Sequence, residues 1–139
     1  MEHVAKYLIL VSAAIILILG SLHLFYTFFG LKLKPRDAEL QKRMCQVSPI
    51  ISRETTMWAA WVGFNASHSF GAILFGLVFS YLALSHSTML LGSSFLLSVG
   101  FALLVGYTLL AKKYWFSIPF RCIVVALVMY VGSLAILLA

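Results

Sequence analysis

The chain has 139 residues, of which 63% are hydrophobic and only 10% are charged, and its mean hydropathy is +1.04. These values lie far outside the range of soluble globular domains, so they exclude a soluble fold and predict an integral membrane protein. The net charge of +6 does not indicate nucleic-acid binding, because the basic residues lie at the ends of apolar runs and no nucleic-acid-binding motif accompanies them.

Four apolar runs are long enough to cross a bilayer, which takes about 20 mostly apolar residues. They cover residues 4–30, 57–84, 89–111 and 116–138. In the first run Lys6 precedes an apolar core, as in a signal peptide. The run continues to Phe29 without a small-residue cleavage motif, so we predict a retained span. The expected fold is an all-α integral membrane four-helix bundle, with residues 1–139 forming a single transmembrane domain.

Residues 31–56 form the long connection between the first two spans. A proline and two acids precede two bases in it: Pro35, Asp37, Glu39, Lys42 and Arg43. This order favours a short helix with proline in its first turn, acids near its N-terminus and bases near its C-terminus. Three apolar residues share one face of that helix: Leu40, Met44 and Val47. We predict an amphipathic helix on the membrane surface; a solvated connector with a partly buried stripe is the alternative.

Ser52 is the predicted cap of the second span and would place Glu54 in its first turn. At about 100° per residue, one face of this span carries polar, aromatic and small residues: Glu54, Trp58, Trp61, Asn65, His68, Ala72 and Gly76. The first span has a matching face: Ser12, Ile16, Gly20, His23 and Thr27. At about 1.5 Å per residue, His23 and Asn65 lie at one depth and His68 about a turn deeper. We therefore expect these faces to meet.

The third span contains small and hydroxyl residues, including Ser93, Gly100 and Thr108, for which we predict close helix packing. The fourth span would open with Ser117 as its cap and Pro119 in its first turn.

Three basic residues lie at the connection between the third and fourth spans: Lys112, Lys113 and Arg121. Long cationic side chains at such positions reach lipid headgroups, and we predict this role for all three. An ion pair between Arg121 and Glu54 is the alternative for that arginine.

Nine of the ten basic residues lie at these two connections, and only Lys6 lies at the other end of the spans. The positive-inside rule then places both connections in the cytoplasm, and both termini and the turn at residues 85–88 outside. Cys45 and Cys122 have no redox spacing, and a disulfide is not expected on the reducing side of the membrane.

The intramembrane polar residues permit three interpretations. First, His23, Asn65, His68 and Ser69 can form hydrogen bonds that hold helices together, each contributing about 0.6 kcal/mol. Second, aromatic residues can give a ligand pocket its walls, with those polar residues as its orienting groups. The aromatic candidates are Tyr26, Trp58, Trp61 and Phe64.

The third interpretation is chemical. His23 and His68 could bind a b-type haem, or one of them could carry a proton while Asn65 stabilises an oxyanion. No acidic residue lies within a span core, so a metal cluster of histidine and carboxylate ligands is not expected. No cofactor other than that possible haem is indicated.

Three segments carry a resemblance to a known group of proteins. They are Thr55-Thr-Met-Trp58-x-x-Trp61-x-Gly63-Phe64-Asn65-x-Ser67-His68-Ser69-x-Gly71, Gly20-Ser-Leu-His23 and Tyr114-Trp115-Phe116-Ser117-Ile-Pro119. With these segments the chain resembles small bacterial four-span membrane proteins over its whole length. The resemblance implies the four-span architecture and a bacterial inner membrane, and it assigns no activity or catalytic residue.

We favour a non-enzymatic protein that binds a hydrophobic ligand between the first two spans: a lipid, isoprenoid, sterol or quinone. The expected ligand-binding residues are His23, Tyr26, Trp58, Trp61, Asn65, His68 and Ser69. One alternative is a structural or accessory subunit of a larger membrane complex or homo-oligomer, and another is a histidine-dependent lipid-phase enzyme or haem protein. Burial of the polar stripe by the chain itself would favour a ligand or internal network, whereas an outward-facing stripe would favour a partner.

Overall fold

The computed structural model describes all 139 residues and contains six helices and no strand. The helices are α1 (Glu2–Phe28), α2 (Ala38–Gln46), α3 (Met57–Ser85), α4 (Ser87–Gly92), α5 (Ser94–Tyr114) and α6 (Ser117–Leu138). Helices α1, α3, α5 and α6 are long and apolar enough to cross a membrane. The all-helical class and the four helices of spanning length are therefore confirmed.

The chain packs as two compact units. The larger unit comprises Met1–Leu19 and Ala72–Ala139, and the smaller unit comprises Gly20–Gly71. Because the boundaries lie inside α1 and α3, each of these helices contributes residues to both units. The single transmembrane domain stays a prediction.

Two glycines allow close packing in the larger unit. A Cβ at Gly76 of α3 would lie 2.8 Å from the Cα of Leu17 and 3.0 Å from the carbonyl oxygen of Ala13, so the α1 and α3 backbones nearly touch there. A Cβ at Gly100 of α5 would collide with the Tyr130 hydroxyl and with the Phe79 ring. The packing role expected of Gly100 is confirmed.

Tyr130 anchors α6 to α5. Its side chain is fully buried, and its hydroxyl donates a hydrogen bond to the Leu97 carbonyl at 3.0 Å. A buried tyrosine needs such a partner, because an unpaired hydroxyl in an apolar core is costly. The surrounding core is aliphatic and aromatic: Ile9, Ile16, Phe75, Phe79, Leu104, Ile123 and Ala126.

The third apolar run is broken, which the sequence did not predict. Helix α4 begins already at Ser87, within the expected turn, and Ser93 separates it from α5 with an extended backbone at φ −99° and ψ 100°. The Ser93 hydroxyl accepts a hydrogen bond from the Leu96 amide and so caps α5. The prediction of Ser93 as a packing residue in a continuous span was wrong.

The connection in the smaller unit contains the expected short helix, α2, but its start differs from the prediction. A carboxylate oxygen of Asp37 accepts hydrogen bonds from the amides of Glu39 and Leu40 at 2.9 and 3.4 Å, so Asp37 is the N-cap. Pro35 therefore lies before the helix and not in its first turn. The carboxylate satisfies two otherwise free amides, which proline cannot do.

Helix α3 also starts later than predicted. The Thr56 hydroxyl accepts a hydrogen bond from the Ala59 amide at 3.2 Å and caps the helix. Ser52 instead accepts from the Glu54 amide within a local turn, which leaves Glu54 outside α3. At the start of α6, Pro119 lies in the first turn as expected. The prediction of Ser117 as its cap was wrong, because Ser117 is the first helical residue and Phe116 is the N-cap, without a side-chain hydrogen bond.

Candidate functional site

Four polar residues of the smaller unit form a histidine cluster: His23 on α1, and Asn65, His68 and Ser69 on α3. His23 Nδ1 lies 2.9 Å from the Ser69 hydroxyl oxygen, and the Ser69 hydroxyl donates to the Asn65 carbonyl at 2.8 Å. A hydroxyl has one proton to donate. We therefore assign the proton between His23 and Ser69 to Nδ1, with Ser69 as the acceptor.

The two histidines lie against each other. Their ring centres are 5.3 Å apart and their planes are 83° apart, an edge-to-face contact. Both side chains are half-buried, and Ser69 is fully buried. The expected meeting of the two helix faces at His23 and His68 is confirmed as geometry, while a role in ligand binding stays a prediction.

The cluster differs from the prediction at Asn65. Its side-chain amide donates to the Trp61 carbonyl at 2.7 Å, one turn back on the same helix, and so does not bridge to α1. His23 lies against the Ser69 side chain, one turn beyond Asn65, and against the backbone of Asn65. Polar side chains in helices often bond to a carbonyl of the preceding turn, and that bond replaces the expected contact between helices.

The contact between Ser69 and His23 is not arranged for nucleophilic catalysis. Ser69 has no exposed surface, and its proton is already bonded to the Asn65 carbonyl. The direct contact of the imidazole rings also does not favour a bis-histidine haem, since iron and porphyrin would have to lie between them. No group of three or more potential ligand side chains is placed to hold a metal ion.

An aromatic cleft lies beside the cluster in the smaller unit. Its lining is Tyr26, Thr27, Gly30, Leu33, Lys34, Trp58, Trp61, Val62 and Asn65. Its free volume is about 10 Å³, the space of one water molecule. Four of the seven expected ligand-binding residues line this cleft: Tyr26, Trp58, Trp61 and Asn65. His23, His68 and Ser69 do not, so the structure divides the predicted site in two.

A basic groove of about 340 Å³ lies where the connection passes Trp61. Its lining is Lys32, Leu33, Lys34, Pro35, Met44 and Trp61. The groove and the aromatic cleft share Leu33, Lys34 and Trp61. The Trp61 indole N–H donates to the Leu33 carbonyl at 3.0 Å, and this bond fixes the ring between the two spaces while 44% of the residue stays exposed.

A second contact joins the cleft and the groove. The Lys32 ammonium lies 3.9 Å from the centre of the Tyr26 ring, within cation–π range. Sequence reasoning missed Lys32 and Lys34 as site residues. The available signal was the alternation of apolar and basic residues in Leu31-Lys32-Leu33-Lys34, directly after the first span.

The three predicted headgroup contacts lie in the larger unit. Lys112 and Lys113 are in the last turn of α5, Arg121 is near the start of α6, and all three are exposed. The Lys113 ammonium lies 5.1 Å from the centre of the Tyr114 ring. These cations are free to meet solvent or lipid, and their contact with headgroups stays a prediction.

No protein-family model matches the chain, and no curated protein or solved structure matches it at a significant level. The inference of function therefore depends on the geometry of the cleft, the groove and the histidine cluster.

Proposed function

We propose that the chain is a multi-pass membrane protein that binds an anionic membrane lipid, with the headgroup in the basic groove and the adjoining apolar part against Trp61. The observation that supports this most is the shared lining of groove and cleft. Trp61 and Leu33 give both spaces an apolar wall, and Lys34 gives both a cation. Membrane lipids with a phosphate group present these two chemistries side by side.

The size and charge of the groove favour this ligand class. The groove is open on one side and has about 340 Å³, so it suits a lipid headgroup whose chains stay outside it. Its lining includes two lysines and no acidic side chain, and lysine ammonium groups are common phosphate ligands. Among the ligands considered from the sequence, a sterol or quinone would leave both lysines without an anion, whereas a phospholipid or an isoprenyl phosphate would not.

Partial burial of the histidine cluster argues against its use as a docking surface. Ser69 is fully buried, and His23, His68 and Asn65 are partly covered by the chain. We assign the histidine cluster a structural role, holding α1 and α3 together next to the cleft. Because the Ser69 hydroxyl is buried and its proton is bonded to the Asn65 carbonyl, we propose binding and not catalysis, without a cofactor.

The distribution of charge supports an orientation. Nine of the ten basic residues lie at the two connections, so we propose that these face the cytoplasm and that both termini lie outside. The resemblance to small bacterial four-span proteins points to the inner membrane. The basic groove would then draw lipid from the cytoplasmic leaflet, whose anionic headgroups attract such cations.

The first test replaces Trp61. The Trp61→Leu protein, purified in mild detergent, should retain less phospholipid than the parent protein by native mass spectrometry, because leucine removes the flat wall and the indole donor. Phe64→Leu is the matched control, since Phe64 lies on the same helix, is 76% exposed and lines neither space. Equal lipid retention by Trp61→Leu and the parent would refute the site.

The second test concerns charge. The double variant Lys32→Ala and Lys34→Ala should lose the preference for phosphatidylglycerol over phosphatidylcholine in the same measurement. The control pair Lys42→Ala and Arg43→Ala removes two exposed cations of α2 that do not line the groove. If both pairs lower the preference equally, general attraction by the connection accounts for it and the groove is not the site.

A further inference from the structure

The connection between α1 and α3 has two solvent-exposed isoleucines at the tip of an ordered turn. Ile50 is fully exposed and Ile51 is 93% exposed. The turn is closed by a hydrogen bond from the Ser52 amide to the Pro49 carbonyl at 3.3 Å. A second bond, from the Met57 amide to the Val47 carbonyl at 2.8 Å, joins the two ends of the loop. The backbone thus holds both side chains outward.

This exposure is not explained by the local fold. Turns in water favour Gly, Asn, Asp and Ser, because these residues form local hydrogen bonds or adopt turn dihedrals. Two adjacent β-branched apolar residues serve neither purpose. Neither residue packs against the chain, although isoleucine is among the residues most often buried in proteins. The turn therefore has the properties of a surface that meets an apolar phase.

We propose that the turn Pro49–Ser52 is an interfacial membrane anchor, in which Ile50 and Ile51 enter the lipid at the headgroup–acyl boundary. The inference depends on the proposal that the long helices span the membrane. The turn lies only a few residues before α3, one of those helices, so its tip is within reach of the same bilayer surface. A bilayer, unlike a protein partner, need not present a shaped pocket to receive two isoleucines.

The charges around the turn complement a lipid surface. Arg53 follows the turn directly and is exposed, and the exposed Glu54 comes after it. Over residues 31–56, six basic side chains outnumber three acidic ones. Apolar side chains below and cations at phosphate level are the arrangement of interfacial membrane segments. Leu40 and Val47 are exposed in the same connection and extend its apolar surface. Anchored at the turn, the connection would hold the basic groove beside the lipid headgroups.

The test places a fluorophore at the turn. In a variant with Cys45→Ser and Cys122→Ala, a single cysteine from Ile51→Cys is labelled with a nitrobenzoxadiazole dye. The protein is reconstituted in vesicles of phosphatidylcholine and phosphatidylglycerol. We expect a blue-shifted emission, strong quenching by lipids spin-labelled near the headgroup, and weak quenching by aqueous iodide. Gln46→Cys, at an exposed polar position of the same connection, should show the opposite quenching.

A third label distinguishes the two proposals. Val128 lies in α6 and is 59% exposed, so a dye at Val128→Cys should be quenched by lipids spin-labelled deep in the acyl chain if α6 spans the membrane. Absence of that quenching would refute the spanning helices. Quenching at Val128 together with iodide-accessible dye at Ile51 would refute the anchor alone. Protection of the Ile51 dye from both lipid and iodide would also refute it, in favour of a protein contact.

Discussion

A single hydroxyl proton determines the hydrogen bonding of the histidine cluster. Because Ser69 donates to the Asn65 carbonyl, its oxygen is left to accept from His23 Nδ1. Ser69 therefore links the two helices even though its proton serves only α3. Ser69 is fully buried, so its hydroxyl needs these hydrogen-bond partners, because an unpaired polar group at that position would be costly.

The cluster should behave as one energetic unit. His23→Leu and His68→Leu should each lower the thermal stability of the protein in detergent, by about 0.6 kcal/mol for each polar interaction that the substitution removes. The double variant should be destabilised by less than the sum of the two, because each single change already removes the packing of one imidazole ring on the other. Thermal unfolding of the four proteins in this cycle measures the coupling.

His86 provides the control for this cycle. Its ring contacts Tyr81 in the larger unit, so His23→Leu and His86→Leu should be additive. Additivity of His23→Leu and His68→Leu as well would contradict a shared unit.

The sequence predicted which residues meet in the cluster better than how they bond. Helical spacing placed His23 and His68 on facing stripes, because about 100° per residue is a property of any α-helix. The partners of His23 and Asn65 depend on side-chain rotamers. The side-chain amide of Asn65 bonds to the Trp61 carbonyl of its own helix and not to α1. Helical spacing alone does not decide between a hydrogen bond within a helix and one between helices.

At the scale of elements, the contact of α5 with α6 depends on glycine at position 100, where any side chain would collide with the neighbouring residues. Gly100→Ala should lower stability by about 1–3 kcal/mol, as overpacking does, because the added methyl group collides with the Tyr130 hydroxyl and the Phe79 ring. Movement of Tyr130 would also weaken its hydrogen bond to Leu97. Thermal unfolding in detergent would measure the decrease.

The same helix offers a matched control. A Cβ at Gly106 of α5 would meet nothing within 4 Å, so Gly106→Ala should leave stability unchanged or raise it by up to about 1 kcal/mol through helix propensity. Equal destabilisation by the two variants would show that the effect comes from the backbone and not from the contact with α6.

Element boundaries were less predictable than the elements. Hydropathy identified the long helices because length and apolarity are sufficient for that purpose. Hydropathy did not predict the break at Ser93, because Met89-Leu90-Leu91 continues the apolar run and a serine can either pack against a helix or cap one. Thr56 caps α3 by the same hydroxyl chemistry that made Ser52 plausible. At α2, the carboxylate of Asp37 caps the helix two residues after the proline that was expected to start it. The choice among nearby candidates needed the backbone path.

At the scale of the molecule, the basic groove is a tertiary product that no local pattern specifies. Lys32, Lys34 and Pro35 come from the connection, Met44 from α2 and Trp61 from α3. These residues line one space only because the connection folds back past the start of α3, a path fixed in part by the hydrogen bond between Trp61 and Leu33. Hydropathy predicts spans, but it contains no information about such a path.

The proposed orientation is tested by labelling from outside the cell. Thr88 and Lys42 are both exposed and lie at opposite ends of α3, Thr88 just after it and Lys42 before it. In the protein without native cysteines, a membrane-impermeant maleimide should label Thr88→Cys in intact cells and Lys42→Cys only after permeabilisation. This result follows from nine of ten basic residues lying at the two connections, because cationic loops are retained in the cytoplasm. The reverse pattern would contradict this orientation and would place the basic groove at the outer leaflet. Labelling of both sites in intact cells would mean that α3 does not cross the membrane.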